Sequence, residues 1–328
     1  MRKLLVSLAV LALLTCISGG VLGARVMRVG HEGSTESLDH IALLKFAELV
    51  EAKTNGEITV KIFPMNQLGS FFTQLQNLKQ GLQEGHVNGL GFPGHLVPEF
   101  FLFNTAFALR GFDENARVIN GPAGQEIRAK LIKDHGIRLI SVGGWRRGAR
   151  QLLSKKPIRS VEDVKGLKIR VPETPSYIAA WEAVGASPTP VAFGEVYLAL
   201  QQGVVDAMEC PLDLIYAQKF YECAKYISLT SHLAELLALG VNEKFYQSLT
   251  PAQQRALEEA AAEAGAYNKE MVDKLQEEYM EKMKAAGVTF IEVDKDAFWA
   301  KGQRAPYVLE EKGIWPKGFY DRVLKSLN

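Results

Sequence analysis

The chain has 328 residues, 47% of them hydrophobic and 23% charged, and its 38 Lys and Arg stand against 37 Asp and Glu. This near-neutral balance lacks the basic surplus that nucleic-acid binding requires. The composition is that of a folded globular protein, long enough for one large domain or two of ordinary size.

The first residues differ from the rest. Arg2 and Lys3 precede an apolar run from Leu4 to Leu14, and small residues follow through Gly19, Gly20 and Gly23 to Ala24. A positive end, an apolar stretch too short to span a bilayer and a small-residue site read as a secretory signal peptide over residues 1–23, which assigns the mature chain to the periplasm. Its removal takes two of the 38 basic residues and none of the 37 acids, moving the formal charge from +1 to −1. Cys16 leaves with it. Cys210 and Cys223 remain, too few for a disulfide framework, and both are expected to be free. No other segment has the roughly 18 apolar residues that a membrane span needs.

The remainder states one pattern twice. Val26 to Gly30 reads as a strand. Leu43, Phe46, Ala47 and Val50 share one helical face, and Asn55-Gly56 ends that helix. Ile58, Val60 and Ile62 alternate with polar neighbours, as in a strand; Phe71 to Glu84 is helical and His86 to Gly91 a strand. The same order returns with a strand at Leu167–Val171 and a helix opened by Thr174-Pro175, carrying Tyr177, Trp181 and Val184 on one face and closed by Gly185. A short strand at Thr189–Val191, a helix at Glu195–Gln202 and a strand at Val204–Glu209 follow. Alternating strands and helices call for open, mostly parallel sheets covered on both faces. Two such units predict an α/β fold of two similar doubly wound domains around a ligand cleft. The chain crosses between them near Gly143–Gly148 and Thr230–Leu236. Thr250-Pro251-Ala252-Gln253 is a capping box, and the helix it opens is predicted to reach Gly287. At 1.5 Å per residue it is about 50 Å long, enough to lie across both units, with a kink expected near Gly265. The first domain is assigned residues 24–147 with about 236–275, and the second 148–235 with about 276–328.

Motifs for catalysis are missing. Gly89-Leu90-Gly91-Phe92-Pro93-Gly94 has the three-glycine spacing of a dinucleotide loop, but Pro93 and Pro98 oppose a following helix. It reads instead as a loop at a strand end where backbone approaches a ligand. The six histidines, His31, His40, His86, His95, His135 and His232, show no metal-ligand spacing, and there is no nucleophile elbow or phosphate loop. No cofactor, metal or catalytic set is expected.

The segment Gly148 to His232 carries a resemblance. It contains Gly148-Ala149-Arg150-Gln151, Lys165-Gly166-Leu167-Lys168-Ile169-Arg170-Val171-Pro172 and Gly185-Ala186-Ser187-Pro188-Thr189-Pro190. Glu195-Val196-Tyr197-Leu198-Ala199-Leu200-Gln201, Gly203-Val204-Val205-Asp206, Glu209-Cys210-Pro211 and Thr230-Ser231-His232 follow in order. This run resembles the DctP family of substrate-binding proteins of tripartite ATP-independent periplasmic (TRAP) transporters, and the likeness extends over nearly the whole mature chain. The resemblance implies a protein whose two domains close on a small organic carboxylate and deliver it to integral-membrane permease subunits; the chain is expected to be monomeric. It assigns Arg170 to a two-pronged salt bridge with the ligand carboxylate, for which a planar guanidinium is suited and Lys is not. Arg150 is the second arginine of the pattern, chosen over Arg146 and Arg147 by its spacing. Phe193 is read as cleft lining, with Glu195 and Tyr197 beside it.

Two departures from the family pattern shape the ligand expectation. Cys210 stands where an amide is common, and Phe71-Phe72 where charged residues often occur. With Phe92, Trp145 and Trp181 near other cleft-forming stretches, they predict a monocarboxylate with an apolar or aromatic body. A sugar acid or dicarboxylate in the same role is the alternative, and a sensor subunit or a periplasmic enzyme acting on a carboxylate are further readings.

Overall fold

Parallel strands at the start of the chain form because each apolar run is followed by a helix long enough to return to the same edge. The structure, a computed structural model, describes residues 24–327; the expected signal segment and Cys16 lie outside the described residues. Strand β1 (Arg25–Gly30) leads to helix α1 (Leu38–Lys53), β2 (Ile58–Phe63), α2 (Phe71–Gln80) and β3 (Gly85–Gly89). β1 pairs in parallel with both β2 and β3. After α1 the chain turns through Asn55 and Gly56, both at positive φ (49° and 78°). Ser70 caps α2 by accepting from the Thr73 N–H.

Two 3-10 turns, α3 (Gly111–Asn120) and α4 (Pro122–His135) follow, and then β4 (Ile137–Ser154), a strand of 18 residues. The second parallel unit is β5 (Lys168–Val171), α5 (Pro175–Ala183), β6 (Ser187–Pro190), α6 (Val196–Gln201) and β7 (Ala207–Pro211). α7 (Leu212–Ala217) leads to β8 (Tyr226–Asn242), α8 (Glu243–Gln247), α9 (Pro251–Ala285) and β9 (Thr289–Ile291); α10 (Lys295–Gly302), α11 (Ala305–Glu311) and α12 (Phe319–Leu327) complete the chain. The last strand of the second unit begins at Ala207, not Val204, because Val204 and Val205 turn back to bond the Ala199 carbonyl.

Separate sheets were expected, but the strands form one, in the order β2-β1-β3-β8-β4-β7-β5-β6, with β9 on β8. The reason is the length of β4 and β8. They pair antiparallel with each other, and each also pairs with one parallel unit, β8 with β3 and β4 with β7. Their shared ladder shifts register between Ile140 and Trp145, between Arg146 and Ala149, and between Arg150 and Leu152. Such bulges bend and twist a strand. Both expected crossings therefore fall inside continuous strands.

Helix α9 carries the predicted capping box, with Thr250 and Gln253 each bonding the other's backbone N–H. It runs without interruption through Gly265, which packs on Gly144 and the Trp145 ring. Leu257, Ala260 and Ala264 join a core with Phe46, Val87 and Leu239, while Val272, Tyr279 and Met283 join another with Leu153, Leu212 and Ile215.

Trp145 was expected near the ligand and is instead in the first of these cores, 1% exposed, with its indole N–H donating to the Ala261 carbonyl at 2.7 Å. Trp181 is likewise fully buried, packed among Phe107 and His232. Trp145→Phe keeps most of the apolar volume but removes the indole donor to the Ala261 carbonyl, which retains its helical partner. It should cost about 0.5–1.5 kcal/mol in chemical denaturation and leave the ligand dissociation constant unchanged; altered affinity without lost stability would contradict the core placement.

Candidate ligand-binding site

In open α/β sheets ligands sit beyond the carboxyl ends of the parallel strands, and that is where the charged and aromatic residues of this chain converge. Glu32 follows β1, Asn88 lies in β3 and Phe92 and His95 follow it; Arg170 is in β5, Phe193 follows β6 and Cys210 is in β7. β4 supplies Arg147 and Arg150, and β8 supplies Glu235. They line one cleft of about 940 Å³, counting its open mouth.

A chain of buried ion pairs runs along one wall. Arg147 donates to Asp39 at 2.9 Å and to Glu235 at 3.0 Å. Arg150 donates from Nη1 to the other Glu235 oxygen and from Nε and Nη2 to Glu209, the last at 2.7 Å. His232 meets Glu209 at 3.1 Å, and its other ring nitrogen pairs with the Thr230 hydroxyl at 2.8 Å. At the far end the His31 ring lies 3.7 Å from Asp39 and 3.0 Å from His40. Burial opposes the charge on Arg150, but Glu209 and Glu235 overturn it and hold its pKa well above the arginine value. Burial likewise opposes ionisation of Glu209, and Arg150 and His232 more than compensate, so its pKa falls.

Arg170 differs from these two. It is 2% exposed, and its hydrogen bonds are both to the Val191 carbonyl, from Nε at 2.9 Å and Nη2 at 2.7 Å. Among the described residues no carboxylate lies within ion-pair distance of it. Burial lowers its pKa and the more distant Glu209 only partly offsets this. The Phe193 ring centre is 5.9 Å from its guanidinium carbon.

Of the residues singled out from sequence, Arg170, Arg150, Cys210, Phe193, Phe71, Phe72 and Phe92 line the cleft. Glu195 does not: it is exposed at the end of a 3-10 turn, outside the lining, because the turn points its side chain to solvent. Trp145 is in the core, as described. Tyr197 also lies elsewhere, bonding Glu222 at 2.9 Å. Four of the five N–H groups of Arg150 are taken by Glu209 and Glu235, so it borders the cleft chiefly as a fixed part of the wall. Cys210 and Cys223 are free thiols, and burial pushes the Cys210 thiol up to about 12. Phe71, Phe72 and Phe101 surround His95 at ring distances of 5.3, 4.9 and 5.0 Å, forming one aromatic wall.

The three-glycine loop serves packing. A side chain at Gly91 would strike the Asn104 amide at 2.1 Å, and one at Gly89 would meet Glu235 at 2.5 Å. The glycines thus admit two cleft-lining polar side chains. Sequence reasoning missed Glu32, Asn66, Ser70, Asn88, Asn104, Arg147, Thr174, Tyr177 and Glu235, all in the lining. The signal for Glu32 was its place two residues past a strand end; for Glu235 it was an acid inside the otherwise apolar run Leu233 to Leu239.

An α/β protein with a cleft at its strand ends, walled by fixed ion pairs and holding an uncommitted guanidinium, defines a binding protein for a small anion. The family model for bacterial extracellular solute-binding protein, family 7 (DctP), matches residues 29–305, and the chain belongs to that family. It is a family of transporter-associated solute-binding proteins, not enzymes. The chain is 33% identical over 287 residues to the 2,3-diketo-L-gulonate-binding periplasmic protein YiaO of Escherichia coli (strain K12), covering 87% of each chain. It is similar to a TRAP periplasmic solute binding protein from Ochrobacterium anthropi with bound L-fuconate (TM-score 0.85, 33% identity, 93% of this chain and 100% of that one). It is also similar to one from Roseobacter denitrificans with bound L-galactonate (TM-score 0.83, 30% identity, 93% and 100%).

One acid in the neighbourhood has no partner. Asp213, at the start of α7, is 3% exposed, and among the described residues neither of its oxygens has a well-formed hydrogen-bond donor. It lines a small cavity with Gly148 of β4 and Val272, Gln276 and Tyr279 of α9. Burial raises its pKa from 3.8 to about 7, against the pull of Arg147. Below pH about 4 the carboxyl is protonated folded or unfolded. Between about 4 and 7 only the folded chain keeps the proton, so rising pH removes stability across that window. Relative to Asp213→Asn, the wild type should lose stability as pH rises from 4 to 7. Denaturation midpoints of the two proteins at unit pH steps check this, and parallel curves would refute it.

Proposed function

We propose that this protein is a periplasmic solute-binding protein that captures a polyhydroxylated sugar acid and delivers it to the membrane permease of a TRAP transporter. The observation that carries the reading is Arg170: a buried guanidinium in the cleft, oriented by the Val191 carbonyl and matched by no carboxylate among the described residues. A ligand carboxylate supplies the missing partner, through two parallel hydrogen bonds. Arg147 and Arg150, each tied to two carboxylates, keep their places and shape the wall. The family and the periplasmic relatives support the compartment and the permease partner. Among the described residues no helix is long and apolar enough to cross a membrane.

The apolar or aromatic body expected from Cys210 and Phe71-Phe72 gives way to a sugar acid for two reasons. First, relatives are named or shown with 2,3-diketo-L-gulonate, L-fuconate and L-galactonate. Second, the cleft is not poor in partners for hydroxyls: Glu32, Asn66, Ser70, Asn88, Asn104 and Thr174 all line it. Cys210, a weak donor and acceptor, is outnumbered by them. The aromatic wall remains suited to the C–H face of a sugar chain.

Arg170→Ala should raise the dissociation constant of the bound acid by about two to four decades, since removing one partner of a desolvated ion pair costs about 3–5 kcal/mol. Arg170→Lys should also bind poorly, the fork being lost. Isothermal titration measures both, and near-wild-type affinity in Arg170→Ala would remove the central assignment. A thermal-shift panel of L-fuconate, L-galactonate, D-glucuronate, phenylacetate and indoleacetate tests the ligand class. Stabilisation is expected from sugar acids, and a response confined to the aryl acids would overturn it.

A further inference from the structure

We infer that Glu32 makes this cleft selective for acids with a single carboxylate, accepting from the hydroxylated tail of the ligand and rejecting a second acid group. The inference rests on the reading that Arg170 takes the ligand carboxylate. It follows from which charges in the cleft are already matched. Among the described residues three guanidinium groups line it, those of Arg147, Arg150 and Arg170, and no lysine does. Arg147 and Arg150 are held by Asp39, Glu235 and Glu209. His95 is kept toward its neutral form by burial. Among the described residues of the lining, Arg170 is thus the one cation without a carboxylate, and it has capacity for one.

The unmatched acid is Glu32. Its Oε2 accepts from the Asn88 side-chain amide at 3.0 Å, and among the described residues no arginine or lysine lies within ion-pair distance. Oε1 has no hydrogen bond from the described protein and faces a cleft whose occupant must supply a donor. Glu32 arises beyond β1 and Arg170 from β5, so the two belong to different parallel units. Burial raises the Glu32 pKa, against the pull of the Asn88 amide and then of the Arg147 and Arg170 charges, and Glu32 in turn supports the charge on Arg170. A ligand anchored at Arg170 and reaching the other wall presents its tail to Glu32. A hydroxyl there donates to the free oxygen. A carboxylate there has no donor proton and meets a like charge in a site from which water has been displaced. Exposed Glu173, also on the lining, adds a second negative charge.

The test compares acids that differ only at the far carbon: L-galactonate with galactarate, and D-gluconate with D-glucarate, by isothermal titration at neutral pH. Wild type should favour the monoacid of the better-bound pair by at least about 100-fold, the scale of a desolvated like-charge contact. In Glu32→Gln, an isosteric change that keeps an acceptor oxygen, the ratio should fall at least about tenfold. Equal wild-type affinity for monoacid and diacid, or an unchanged ratio in Glu32→Gln, overturns the inference while leaving the sugar-acid reading intact. If no sugar acid binds wild type, that reading falls and the inference with it. The wild-type ratio alone is decisive should the variant fail to fold.

Discussion

The buried ladder Asp39–Arg147–Glu235–Arg150–Glu209–His232 is the interaction on which the site depends. Taking this many charges out of water is costly, and a ladder is stable only when every member is matched on both sides. The constraint explains its composition. Two arginines alternate with three acids, and the histidines at each end complete the terminal acids. It also spans the molecule: Asp39 belongs to α1, the arginines to β4, Glu235 and His232 to β8, and Glu209 to β7. Both parallel units are therefore keyed to the same two crossing strands by charge as well as by backbone pairing. With each rung immobilised, the cleft has one wall whose geometry does not depend on the ligand.

Against that wall Arg170 is an exception of a useful kind. Its orientation is set by the Val191 carbonyl, which holds the fork without neutralising it. A carboxylate partner from the protein would have stabilised the empty state and removed the attraction for a ligand. The opposite unit combines a rigid aromatic surface around His95 with amides and hydroxyls, so apolar and polar faces of one ligand have separate counterparts. The cleft is amphipathic, and neither its phenylalanines nor its single thiol describes it alone.

Elements with strong local periodicity were legible in the sequence. The two strand–helix–strand runs, the capping box of α9 and the place of Arg170 at a strand end all follow from residue patterns within a few turns. What was not legible is long-range. That β4 and β8 are continuous, and fuse the units into one sheet, depends on pairing between residues distant in the chain, such as Ile137 with Asn242 and Trp145 with Leu237. Trp145 looked like a cleft residue because it sits three positions from a site motif. Register shifts on both sides of it rotate the strand and turn the indole into the core. Arg147 and Arg150 were a choice between neighbours; spacing selected one, while the ladder employs both. Glu32 and Asn88 carry no motif, and only the convergence of β1 and β3 brings them together.

The distribution of core residues along the chain has a temporal consequence. The core beneath β1–β3 includes Leu237, Leu239 and Val241 from β8 and Leu257, Ala260 and Ala264 from α9. The core around Phe100 and Ile119 includes Leu309, Trp315, Phe319 and Val323 from the last two helices and the segment between them. The first third of the chain thus lacks its packing partners until most of the remainder has been synthesised. Contacts so distant in sequence slow folding, and they deny early segments a stable structure of their own. Under the proposed periplasmic role, an architecture that postpones its own completion keeps the chain unfolded, and so able to be threaded across a membrane, for longer.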